Sequence, residues 1–161
     1  MMIMTAKVNM KKVLIVLGAI AALLIGIIAL FGGSDTTHTS ATVSDNDSRV
    51  NFLKGFGWEV TTTPVESGQV RIPTETTEVF DRYNQLQQAQ GYDLTKYSGK
   101  KVMRYVYKVT NYPGATDPVF ATVLVYKNQI IGGDITNTAA GGKIQSFKMN
   151  GSVMETVPSS T

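Results

Sequence analysis

Nineteen consecutive residues, Val13 to Phe31 (VLIVLGAIAALLIGIIALF), carry no charge and no strong hydrogen-bonding side chain. As a helix, the run rises roughly 28 Å at about 1.5 Å per residue, close to a hydrocarbon core of about 30 Å. A helix satisfies its own backbone hydrogen bonds, so it can lie in lipid. Lys7, Lys11 and Lys12 precede the run, and Asp35, Asp45 and Asp47 follow it. Lysines favour the cytoplasmic side of a membrane. The expectation is a basic cytoplasmic tail over 1–12, a single-pass transmembrane helix over 13–31, and an extracellular remainder. A cleaved signal peptide and a buried helix of a soluble domain are the rival readings. Signal peptides have apolar regions of about 7–15 residues and a small-x-small exit. Here the run is longer, and Leu30 and Phe31 interrupt the exit.

Gly18, Ala22 and Gly26 recur every four residues and would share one face of that helix. Such a face lets two helices approach closely, so a homodimer through the span is one reading. The plainer reading is that Gly and Ala are common in membrane spans.

Charge divides the chain in the same place. The net charge of +3 resides in the three leading lysines: from Ser34 to Thr161, eight Lys and four Arg balance seven Asp and five Glu. A nucleic-acid partner is therefore not expected, because phosphate neutralisation needs a clustered basic footprint. There is no cysteine, which excludes disulfides, thiolate metal sites, a cysteine nucleophile and lipid attachment at a cysteine. The single histidine, His38, lies in GGSDTTHTSATVSDND, residues 32–47. That stretch has no aromatic residue and reads as a flexible linker. No cofactor, metal or catalytic residue is indicated.

From residue 48 to 149 the pattern is that of a folded unit. Asp47 or Ser48 can cap a short helix carrying Val50, Phe52, Leu53 and Phe56. Trp58–Thr63 reads as a strand stopped by Pro64, and Gln69–Ile72 as a second short one. Thr74 can cap the main helix, which runs to Gln90 with Val79, Phe80, Tyr83 and Leu86 as an apolar stripe. Lys101–Thr110 alternates as a half-buried strand. Val119–Tyr126 is apolar on both faces, as suits a central strand. Lys127-Asn128 makes a tight reversal into Gln129–Thr136, where Gly132-Gly133 suggests a bulge. The expected fold class is α+β: an N-terminal transmembrane helix, then a three-stranded antiparallel meander packed on one main helix. Ile144 and Phe147 are candidates for an edge element, and residues 150–161 for a disordered tail.

The candidate binding surface comprises Tyr112, Asp93, Asp134 and Lys100. Asp93 can cap a turn after Gly91, and Asp134 follows the glycine pair, where its carboxylate could face a ligand or Lys100. Tyr112 lies in the turn-rich 111–118 loop, where a tyrosine offers contact area with a polar tip. For each carboxylate the plainer reading is a cap, turn bond or surface ion pair. Ser98 beside Lys100 and Lys101 reads as an exposed turn rather than a nucleophilic dyad.

FLKGFGWEV (52–60), RIP (71–73), YNQLQQAQGYDL (83–94), YSGK (97–100), YKVTNYPG (107–114) and LVYKNQIIGGD (124–134) together resemble the bacterial domain of unknown function 4830 family. The resemblance spans about residues 50–148. It implies a short Gram-positive protein with a membrane segment or signal ahead of the domain. It carries over no activity, cofactor, partner or site residue. The expectation for function is a membrane-anchored, extracytoplasmic binding or interaction module of the bacterial envelope, contacting an envelope protein or a cell-wall component. The alternative is an envelope enzyme using Asp93 and Asp134.

Overall fold

The computed structural model describes residues 41–151 and 153–155. The expected span over 13–31, with Gly18, Ala22 and Gly26, lies outside them. Among the described residues, no helix is long and apolar enough to cross a membrane.

Residues 127 and 128 organise the centre of the molecule. Lys127 and Asn128 both take positive φ, at 47° and 62°, the geometry of a two-residue hairpin turn whose twist matches that of its strands. They join β3 (Val119–Tyr126) to β4 (Gln129–Asn137). β2 (Lys101–Val109) pairs antiparallel on the other side of β3.

The meander continues beyond these three strands. β1 (Glu66–Arg71) pairs with β2, β5 (Lys143–Gln145) with β4, and β6 (Val153–Glu155) with β5. The sheet is six-stranded in the order β1-β2-β3-β4-β5-β6, which corrects the expected three-stranded meander. The added strands are short, and their pairing depends on long-range contacts that local periodicity does not show. β6 falls within the expected disordered tail. Trp58–Thr63 does not form a strand; its ladder contact is a bridge of Val60 to Val109.

Two helices, α1 (Asn46–Gly55) and α2 (Glu78–Gln88), lie on opposite faces of the sheet. α1 begins at Asp45, which accepts from the Ser48 amide while the Ser48 hydroxyl accepts from the Asp45 amide, a reciprocal box. Its Leu53 joins Trp58, Tyr107, Val123, Ile135 and Phe147 in the larger core. Arg49 is buried there, with Nε donating to the Tyr107 hydroxyl at 2.9 Å and its guanidinium 3.7 Å from the Tyr105 ring centroid. α2 begins at Thr77, not Thr74. Its Tyr83 packs on the other face with Ile72, Leu94, Val102, Leu124 and Ile131. A single helix layer was therefore too few. β3 is apolar on both faces, and each face needs a cover to remove it from water.

β4 carries the bulge. Leu124 pairs with Gly132 and Val125 with Ile130, leaving Ile131 as the extra residue. The insertion lets Ile130 join one core and Ile131 the other. The outer edge of β4 is covered piecewise. Residues 41–43 bond at 128–130, with Val43 N to Asn128 O at 2.7 Å and Ile130 N to Ala41 O at 3.0 Å. Gln87 Oε1 accepts from Gly133 N at 2.8 Å, and Gln90 Nε2 donates to Gly133 O at 3.0 Å. β5 takes over at residues 135–136. The expected linker is thus bound to the sheet by residue 41.

Candidate functional site

The main-helix stripe leaves two apolar residues incompletely covered. Val79 and Phe80 are half-buried and form one wall of a cleft of about 240 Å³. Val70 and Ile72, at the end of β1, form the opposite wall, with Leu94 and Leu124 beneath. Arg71, Arg104 and Tyr83 bring polar groups to the same cleft. Apolar walls with a few convergent polar groups are the usual make-up of a small-ligand site.

Behind Tyr83 lies a buried polar cluster. The Tyr83 hydroxyl donates to Asp134 Oδ2 at 2.7 Å, and the Thr136 hydroxyl donates to Asp134 Oδ1 at 2.7 Å. Asp134 is 1% exposed. Burial pushes its carboxyl above the usual carboxylate range, opposed by the bonds from Thr136 and Tyr83 and by the nearby Arg104 guanidinium. Burial also drives the Tyr83 phenol well up, and the adjacent Asp134 charge adds to it. Tyr83 therefore keeps its proton and acts as a donor. Arg104 reaches the other way: its Nη2 donates to Glu66 Oε1 at 2.5 Å across the β1–β2 pair.

The residues singled out from sequence are dispersed. Asp134 sits inside the sheet rather than on a surface, against Tyr83 and Thr136. Asp93 caps the 3₁₀ turn Leu94–Tyr97, accepting from the Thr95 hydroxyl at 2.6 Å, the Thr95 amide at 3.0 Å and Asn84 at 3.1 Å. Those bonds, led by the Thr95 hydroxyl, hold its carboxyl below the usual range. Lys100 is exposed and follows that turn. Tyr112 stacks on Trp58, ring centroids 5.8 Å apart and planes within 9°, and donates to Gln145 Oε1 at 3.1 Å. It rims a shallow hollow of about 290 Å³ with Pro113, Gln145 and Met149. Among the described residues, no cluster of three His, Cys, Asp or Glu is placed to hold a metal ion.

Arg104, Arg71 and Glu66 escaped sequence reasoning. A clue was present: a central β3 apolar on both faces means that part of the polar face of β2 is covered too, and Arg104 is partly buried there while Lys108 on the same face is exposed.

The family model described as Domain of unknown function (DUF4830) matches residues 52–135, just over half of the 161-residue chain. The chain belongs to this family. The DUF4830 match runs from within α1 into β4 and encloses the whole cleft together with Tyr83, Arg104 and Asp134. β5 and β6 fall beyond it. No curated protein and no solved structure matches the chain.

Proposed function

We propose that this DUF4830 protein is a single-pass, membrane-anchored module that presents a small-ligand-binding domain outside a bacterial cell. The cleft between β1 and α2 carries the binding part of this reading. It combines apolar walls with the Arg71 and Arg104 guanidinium groups and the fixed Tyr83. The anchoring part is supported by the 19-residue apolar run with lysines before it and aspartates after it. Placement in the envelope makes a wall-derived or medium-derived ligand the natural partner class.

One preparation tests both parts, because the chain has no cysteine of its own. Ser67 is exposed on β1. Ser67→Cys is expected to react with a membrane-impermeant maleimide on intact cells; labelling only after lysis refutes the outside placement. Leu124→Trp is expected to fill the cleft. Small fragments that bind the full chain by saturation-transfer NMR should then lose their signal. If their signals persist unchanged, the cleft is not the binding site.

A further inference from the structure

Arg104 is deeply placed yet incompletely paired. Its side chain is 13% exposed. A guanidinium carries five donors, and Glu66 takes one of them, on Nη2. Among the described residues, Nε and Nη1 meet no acceptor, and neither is sealed from solvent. Arg104 lines the cleft; because Cδ separates Nε from Nη1, the open edge of its fork is one of these two together with the second hydrogen of Nη2. Glu66 grips the guanidinium without forming part of the wall. No carboxylate lines the cleft among the described residues, whereas exposed Arg71 stands at its rim. Asp134 is screened behind Tyr83, whose hydroxyl is already committed to it.

The cleft therefore offers guanidinium donors between apolar walls, with the charge of Arg104 offset by Glu66. A guanidinium fork matches a carboxylate in two parallel bonds, which a neutral group cannot reproduce. At about one water's share of ~30 Å³ per non-hydrogen atom, about 240 Å³ holds a body of about eight such atoms. The geometry points to a small apolar monocarboxylate as the ligand, its body between Phe80 and Leu124 and its carboxylate on the open donors of Arg104. This deepens the binding reading above and rests on it.

The test uses the full chain in nanodiscs of zwitterionic lipid, with leucine methyl groups labelled. Phenylacetate, phenylacetamide and acetate are titrated while the Leu94 and Leu124 methyl signals are followed. Phenylacetate is expected to shift both, with a Kd below about 1 mM. The neutral amide and the bodiless acetate should each bind at least tenfold more weakly. Arg104→Gln should weaken phenylacetate at least tenfold and erase its preference over phenylacetamide, since a charge-assisted bond is removed. Should that variant unfold, Arg71→Gln at the rim is expected to lower phenylacetate affinity about threefold. Equal binding of acid and amide overturns the carboxylate assignment and leaves the cleft reading standing. Equal binding of acetate and phenylacetate overturns the apolar part. Unmoved methyl signals with all three probes overturn the cleft reading as well.

Discussion

Tyr83→Phe removes one oxygen from a buried ring and leaves the ring's packing in place. The lost group is the donor to Asp134 Oδ2 at 2.7 Å, so the carboxylate keeps the Thr136 hydroxyl alone. Both residues are buried, and water has little access to replace the bond. A bond to a charged group contributes about 1.5–3 kcal/mol, and one between neutral groups about 0.5–1.5 kcal/mol. The effect depends on pH with a definite sign. Asp134 has a folded pKa above its unfolded value, and the Tyr83 bond favours the charged form. Removing that bond raises the folded pKa further. Once pH exceeds that folded pKa the carboxylate is charged in both proteins, and the loss is expected to reach about 2 kcal/mol. At about pH 3.5 it is protonated in both, and the loss should shrink below about 1 kcal/mol. Trp58 is the sole tryptophan and is buried in the larger core, so its fluorescence reports domain unfolding. In urea, with a slope of about 2 kcal/mol per M, the midpoint should fall by about 1 M at the higher pH. A loss that stays the same as pH rises from about 3.5 to about 8 refutes the argument that this hydroxyl stabilises a buried charge.

Two further perturbations act on the same strand. Asp134→Asn takes the titrating group away. The raised folded pKa means that the wild type loses stability as pH rises from about 3.8 through that pKa. The stability of the variant relative to wild type should therefore grow over that window, and a flat difference counts against the buried-charge reading. Gly133→Ala would place a Cβ 2.1 Å from Thr122 O and 2.4 Å from Phe147 Cζ, at a φ of +153°. A cost of at least about 2 kcal/mol is expected from overpacking and backbone strain. A variant within about 0.5 kcal/mol of wild type by urea titration contradicts the packing described.

Much of the central strand order was legible in the residues themselves. The alternation over Lys101–Thr110, the two-sided apolar run of Val119–Tyr126 and the Lys127-Asn128 turn lead to β2, β3 and β4 nearly as they stand. The glycine pair announced the bulge that reorients Ile130 and Ile131. The caps were less legible. Asp45 and Thr77 prevailed over Asp47 or Ser48 and Thr74, because several neighbouring Thr, Ser and Asp residues can cap and only the exit angle of the chain selects among them. Trp58–Thr63 has strand-like residues, yet its tryptophan is drawn into the core and donates to Phe147 O at 2.5 Å, and its pairing with β2 stops at the Val60–Val109 bridge and bonds from Thr110 N to Glu59 O and Thr61 N to Lys108 O.

Short-range periodicity by itself determined the three central strands, the hairpin turn, the apolar stripe of α2 and the apolar run over 13–31. All are readable within a few residues, because backbone geometry repeats every two or 3.6 residues. Only the tertiary structure decided that α1 and α2 cover opposite faces and that β1 completes a cleft. It also decided that Asp134 is buried beside Tyr83 and that Arg104 is gripped by Glu66 with donors to spare. The two bonded pairs join residues 51 and 38 positions apart, and such pairings depend on which surfaces must leave water together, a condition of the whole chain rather than of any segment.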